Sequence, residues 1–541
     1  MKKYLKEILV TISMILFTVA CYYIRMTQST ETEINALLFE LSKGNQIRQI
    51  ICVLFLFVLG LVTLLNVKRS LSDSWIVLLA YPVGFALWGA VSCIVLCVGI
   101  RYNLLSMSII LLLIEIGLTL MKTGEEKKEQ KKEQKEFLIR SCIIIIGIVC
   151  VMSTGALYTF ASHDTHYYID ILGRGIFLEE GLSENFKTYM LSTGIAPATI
   201  NSLMCMLGGD TIYGVHHCLV LDFFILFAYA VYQEVLPYCR KKKAIMVAVM
   251  TVCAMASIPA IQLLAGWIIS NTHIMIYSFI LIALFRQVAQ ANVILADYKI
   301  IFTILMVFMT FLRADAPIYI GCLFVCLSVT KIQNKDIVLC CILPSFLSTV
   351  LFYVTCCIVL KNDLNGLFLM PSTMLAMLGL YGAVLVWFCL IRNKRMLFVQ
   401  RRYMGLVLGL LLLIMIIIAF YTPQMTLEIV KVYLYNFTSV ETSAGWWAAN
   451  GVFLLLLFLT CYQIKQEKLS LVDFYVLVLY EVTFVLGMLR ALMELSPRKG
   501  FGDSFNRTYI SYIPIVVYAI VISGLSMMKK GASKAEKLDC G

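Results

Sequence analysis

Residues 299–331 read KIIFTILMVFMTFLRADAPIYIGCLFVCLSVTK. The run is apolar from end to end, yet it is too long for one bilayer crossing, which takes ~20 residues at ~1.5 Å each. Leu312-Arg313-Ala314-Asp315-Ala316-Pro317 interrupts it near the middle. A residue before proline is pushed out of the helical region. The segment therefore reads as two half-spans meeting near one face of a membrane. A single tilted span would move the basic stretch 392–402 to the other side and invert everything after it. With two half-spans, every strongly basic loop falls on one side, as the positive-inside rule requires.

The rest of the chain follows the same pattern. Hydrophobic residues make up 61% and charged residues 14%, and mean hydropathy is +0.89. Soluble domains are nearer half apolar and a quarter charged. Backbone groups in lipid must bond within their own segment, so the recurring apolar runs are helices. The fold class expected is an all-α integral membrane bundle of ~14–16 transmembrane segments. Besides 299–331, spans are expected near 8–24, 49–66, 74–99, 104–121, 141–160, 211–235, 244–269 and 272–292, then 337–360, 374–391, 403–421, 447–463, 470–491 and 508–526. The basic start Met1–Glu7 precedes the first run without a small-residue cleavage site, so an uncleaved first helix is expected. The 19 cysteines lie mostly inside apolar runs, where they behave as small apolar residues and imply no disulfide framework.

Basic loops at 2–6, 67–70, 122–140, 240–243, 392–402 and 464–468, with the tail from 529, are assigned to the cytoplasm. This bias accounts for the net charge of +12 and calls for no nucleic-acid partner. Residues 122–140 are a Glu/Lys/Gln-rich linker of nearly balanced charge. They divide an N-terminal four-helix part (1–121) from a membrane module (141–541). The outer loops are then 163–210, 270–273, 313–315, 361–373, 422–445 and 493–507. The first has roughly 50 residues, long enough to suggest a functional loop. Within it Ile169–Leu178 and Phe186–Leu191 suit short helices lying in the interface.

Candidate chemistry gathers in three of these loops. Ser162-His163-Asp164-Thr165-His166-Tyr167-Tyr168 leaves a span directly into the longest loop. Tyrosines belong to any interfacial belt, but an aspartate flanked by histidines does not. Asp164 is the candidate catalytic base, with His163, His166 and Tyr167 around it. Arg174, ten residues on, offers a planar donor fork suited to phosphate. Arg313 and Asp315 stand at the half-span junction, where charges at membrane depth tend to mark substrate paths. Arg498, Lys499, Asp503, Asn506 and Arg507 lie just before the last span. They set cations on the outer side against the prevailing bias, as an anion site would. His216, His217, Asp222, Glu115 and Glu481 lie inside spans. Of these, Glu115 reads as a neutral acid bonded to a neighbouring helix. No zinc-type Cys/His spacing occurs, and whether Asp164 uses a divalent metal stays open.

Three of these elements, in this order, resemble the GT-C glycosyltransferases, polytopic enzymes that use sugars carried on polyprenyl phosphate. Asp164 with His166-Tyr167 resembles the aspartate-centred signature of their first catalytic loop. Arg313-Ala314-Asp315 resembles their Arg-x-Asp element, and Asp503-Ser504-Phe505-Asn506-Arg507 their late Asp-Ser-x-Asn-Arg loop. The resemblance covers about 122–530. It implies a polyprenyl-phosphate sugar as donor, a glycan, lipid or protein acceptor, Asp164 as base, and arginines for the departing phosphate. Two departures stand out. Four spans precede the loop that usually follows the first, and His163-Asp164 replaces a pair of adjacent acids. A lipid-linked glycan transporter or flippase, and an O-antigen-type polymerase or ligase, remain as alternatives.

Overall fold

The computed structural model describes residues 46–67, 71–120, 166–208, 213–266, 269–361, 364, 368–392, 400–438, 446–465, 470–493, 495–496, 508–509 and 511–539. The expected spans 8–24 and 141–160 and the linker 122–140 fall outside them. Among the described residues the chain is all helical, with no strand. Eight helices are long and apolar enough to cross a membrane, so this is a multi-pass membrane protein.

The first two long helices, α1 (Gln46–Val67) and α2 (Asp73–Val98), show how local sequence sets the bundle. Ser72 caps α2 by accepting from Trp75 N at 3.5 Å. Gly99, at φ +76, ends it with its N–H on Leu96 O. Between the two helices, a Cβ on Gly60 would lie 1.9 Å from Ala80 O, and one on Gly84 would lie 1.8 Å from Leu56 O. The backbones are in direct contact, as small residues permit in membrane helix pairs. The next helix, α3 (Leu104–Leu120), carries Glu115. It accepts from Asn66 Nδ2 at 2.8 Å and from the Thr63 hydroxyl, so it links α3 to α1.

The long loop folds into a π turn (His166–Ile171) continuing into α4 (Leu172–Glu179), then α5 (Thr188–Ser192) and α6 (Ala196–Met206). The first two match the short helices read from sequence. The third was not anticipated, and Ala196–Met204 are all buried, so it packs inside the bundle. There follow α7 (Tyr213–Val235), α8 (Lys241–Ala256), α9 (Pro259–Gly266) and α10 (Ser270–Ala291). The span expected at 244–269 is thus broken at Ser257-Ile258, immediately before Pro259.

The segment 299–331 forms two helices, α11 (Ala296–Thr310) and α12 (Ala316–Leu327). Pro317 sits in the first turn of α12, where its missing N–H leaves no bond unmade. At 15 and 12 residues the halves rise ~22 and ~18 Å, short of the ~30 Å hydrocarbon layer. The bundle closes with α13 (Asn334–Leu360), α14 (Pro371–Val386), α15 (Gln400–Tyr421), α16 (Pro423–Thr438), α17 (Trp446–Lys465), α18 (Leu471–Met493) and α19 (Ile513–Asp539). The helix α16 corrects the reading of 422–445 as plain loop.

Polar links sort the helix ends onto two rims. On one, Leu71 N donates to Asp297 at 2.9 Å, Lys299 pairs with Asp336 at 2.5 Å, and Arg286 pairs with Glu234 at 2.5 Å. Arg392 there bonds the carbonyls of Ser328 (2.9 Å), Ile332 (3.2 Å) and Thr330, just past α12. This rim carries Arg240–Lys243, Lys331, Lys335 and Arg392, the side assigned to the cytoplasm by charge. The other rim carries 99–103, the α4–α6 region and the apex 311–315. Tyr102 N donates to Glu180 O at 2.8 Å, Arg101 pairs with Glu180, and Lys361 pairs with Glu184.

Candidate functional site

The half-span apex is the centre of the second rim. Arg313 Nε and Nη2 reach both oxygens of Asp315, at 2.7 and 3.1 Å, and Nη1 donates to Asn271 Oδ1 at 2.7 Å. Asn271 is buried in the first turn of α10. This bidentate pairing fixes the guanidinium plane. The sequence reading of Arg313 and Asp315 as partners is therefore seen directly. Most of the fork of Arg313, however, is engaged by protein groups.

The apex is tied by backbone to the loop that begins after Asp164. Ile195 N and Ala196 N both donate to Phe311 O at 3.1 Å, and Ala314 N donates to Ser192 O at 3.1 Å. Gly194 permits this approach. Its φ is +85, and a Cβ there would lie 2.0 Å from Leu312 O.

Beside the apex a cleft of about 240 Å³ opens between α12, α14 and α18. Arg313, Asp315, Tyr319, Thr483, Arg490 and Thr508 are its polar lining. Phe368, Met377, Leu486 and Leu489 contribute apolar walls. Thr483, whose Oγ1 accepts from Tyr512 OH at 2.8 Å, lies ~18 Å along α18 from the basic rim. Met493 stands a further ~15 Å up the same helix. The charged groups of Arg313 and Asp315 are thus held at depth, at the foot of a recess facing the second rim.

The other sequence candidates are distributed as follows. Arg174 bonds Asp170 Oδ1 at 3.0 Å across one helical turn. Asp170 in turn accepts from Asn201 Nδ2 at 3.0 Å, so Arg174 anchors the loop to α6. His166 and Tyr167 open the π turn. His163, Asp164, Arg498, Lys499, Asp503, Asn506 and Arg507 lie outside the described residues, although Thr508 lines the cleft. His216 Nδ1 and His273 Nε2 are 2.8 Å apart, and His273 Nδ1 lies 3.0 Å from Ile269 O. A carbonyl only accepts, so His273 is protonated on Nδ1 and takes the His216 proton on Nε2. This pair, with Asp222, packs behind the apex. Among the described residues, no group of three or more His, Cys, Asp or Glu could hold a metal ion.

Sequence reading missed Arg490, Tyr319 and Asn271. Arg490 lies in the last turn of α18, where a cation on the non-basic rim is itself a signal. Tyr319 and Asn271 sit in runs that read as ordinary helix starts. No family model matches the chain, and neither the curated proteins nor the solved structures hold a match to it.

Proposed function

We propose that the chain is a polytopic membrane glycosyltransferase. It would move a sugar from a polyprenyl-phosphate donor to a cell-envelope acceptor on the outer face of the cytoplasmic membrane. The observation that carries this reading is the recess beside Arg313 and Asp315. It is cationic at depth, apolar-walled and open between helices, and its apex is stitched to the loop that follows Asp164. A ligand with an anionic head and a long apolar tail matches that distribution of groups.

In this mechanism Asp164 accepts the proton of the acceptor hydroxyl as its oxygen attacks the anomeric carbon. The bond from that carbon to the phosphate oxygen breaks, and polyprenyl phosphate leaves with the electron pair. The growing negative charge is met by Arg490 and Arg507, while Arg313 keeps the apex in place. The decisive experiment starts with the lipid-linked sugar that accumulates in a deletion strain, supplied to the purified protein. Asp164→Asn should transfer it ~10²–10⁴ times more slowly while still binding donor. Transfer at the wild-type rate would remove the catalytic role of Asp164, and the enzyme reading with it.

A flippase is the second reading. The break before Pro259 gives the chain another interrupted helix, a feature of transporters. Against it, α12 beneath the cleft is packed through Phe324, Cys326 and Leu327, all buried.

A further inference from the structure

We infer that Tyr319 and Arg490 receive the anionic head of the ligand in this cleft, and that Arg313 is a positioning residue. The inference deepens the reading above and rests on it for the identity of the ligand, not for the existence of the site.

Tyr319 lies in the first turn of α12 and is 3% exposed. Its hydroxyl lines the cleft, with Thr508 beside it. No hydrogen-bond partner of good geometry meets that hydroxyl among the described residues. Buried hydroxyls are ordinarily satisfied, and one that is not, at the wall of a cleft, is a donor placed for a ligand.

The second observation is the charge balance. The charged side chains lining the cleft are Arg313, Asp315 and Arg490. Asp315 holds Arg313 through both carboxylate oxygens, and Asn271 takes another of its donors. Those two lining charges cancel, so Arg490 supplies the excess positive charge. A guanidinium fork and a phenol O–H aimed into one space suit a phosphate group, which has several acceptor oxygens. The apolar walls formed by Phe368, Met377, Leu486 and Leu489 then receive a hydrocarbon tail. The chemical class is a phosphorylated amphiphile, with head at Tyr319 and Arg490 and tail along α14 and α18.

The test uses the full chain in phosphatidylcholine nanodiscs and measures the affinity of farnesyl phosphate, farnesol and inorganic phosphate. Farnesyl phosphate should bind at least tenfold tighter than either of the others. Tyr319→Phe deletes one oxygen and should weaken farnesyl phosphate roughly tenfold, the worth of one hydrogen bond to a charged group. It should leave farnesol unchanged. Arg490→Gln should weaken farnesyl phosphate more, and Arg490→Lys should restore part of it. The ligand-free melting temperature of Tyr319→Phe should be no lower than wild type, because an unpaired buried hydroxyl has been removed. A purely structural tyrosine would show the opposite, a lowered melting temperature with unchanged affinity. Wild-type affinity of Tyr319→Phe for farnesyl phosphate would overturn the proposal. So would equal loss of farnesol and farnesyl phosphate in Arg490→Gln, or inorganic phosphate binding as tightly as farnesyl phosphate. The two readings fail separately. If these affinities hold while Asp164→Asn transfers sugar normally, the anion site stands and the glycosyltransferase falls; the reverse pattern spares the enzyme and removes the pair.

Discussion

Replacing Gly194 by alanine should detach the long loop from the half-span apex. Two costs add. The residue has φ +85, and holding a non-glycine residue in that region costs ~1–2 kcal/mol. The new Cβ would also sit 2.0 Å from Leu312 O and 2.6 Å from Phe311 O. Both are backbone atoms that cannot rotate aside, so the loop must retreat by about 1 Å to reach an ordinary contact. Ile195 N, Ala196 N and Ala314 N each make their bond across this seam at 3.1 Å. Such a retreat takes all three beyond bonding distance, at ~0.5–1.5 kcal/mol apiece. The sum is roughly 3–6 kcal/mol. Gly99→Ala is the control, since Gly99 has φ +76 but nothing within 4 Å of the added carbon, which leaves only the conformational cost. Thermal unfolding in nanodiscs, with limited proteolysis at 193–195, reads both. Gly194→Ala should melt well below Gly99→Ala and be cut faster. Equal melting temperatures would refute the claim that this seam holds the apex to the loop.

Three further outcomes are expected. Gly84→Val should prevent α1 and α2 from packing, because even a Cβ would stand 1.8 Å from Leu56 O, whereas Gly117→Ala, with nothing within 4 Å, should be neutral; yield of folded monomer on gel filtration separates them. Arg392→Lys keeps the charge but loses the fork that spans the carbonyls of Ser328, Thr330 and Ile332; a loss of ~2–4 kcal/mol in unfolding free energy is expected, and wild-type stability would show the latch to be dispensable. The hydrogen bond from Arg101 holds the Glu180 carboxyl below the usual carboxylate range. The folded state then binds fewer protons than the unfolded one, so this contribution is present above the ordinary glutamate pKa of ~4.3 and is lost as pH falls through the lowered value. The melting difference between wild type and Glu180→Gln should be small and salt-sensitive at pH 7, and should vanish in acid.

Much of the architecture is legible in residue order because a bilayer simplifies the problem. Length and hydropathy mark spans, and lysine and arginine mark sides. The 299–331 break follows from Pro317 and two charges, and the structure places both half-span bases on the basic rim. What local pattern could not carry is depth and company. The sequence α6, Ala196–Met206, reads as loop because Thr199, Asn201 and Ser202 are polar, yet all three are fully buried. They are satisfied by partners remote in sequence: Trp88 Nε1 on Thr199 O at 3.2 Å, Tyr102 OH with Ser202 at 2.8 Å, and Asn201 on Asp170. Arg174 offered the same chemistry as Arg490, and only the fold shows that the first is tied to Asp170 while the second lines the cleft.

A hairpin whose arms have 15 and 12 residues also constrains how the chain is made. Neither arm is long enough to be committed to the bilayer as a span, and Arg313 and Asp315 add a cost of ~2.5–3.5 kcal/mol each at the middle of a membrane. The partners of the apex, Ser192–Ala196 and Asn271, are synthesised before it. The latch at its base, Arg392, comes after it. The hairpin can therefore dock by its tip onto elements already in place, and is closed at its foot only once α14 has emerged. A nascent chain halted between residues 334 and 391 would hold a tip-docked, base-open hairpin. That intermediate is the point in biogenesis at which a quality-control protease would distinguish a chain with Arg392 from one without it.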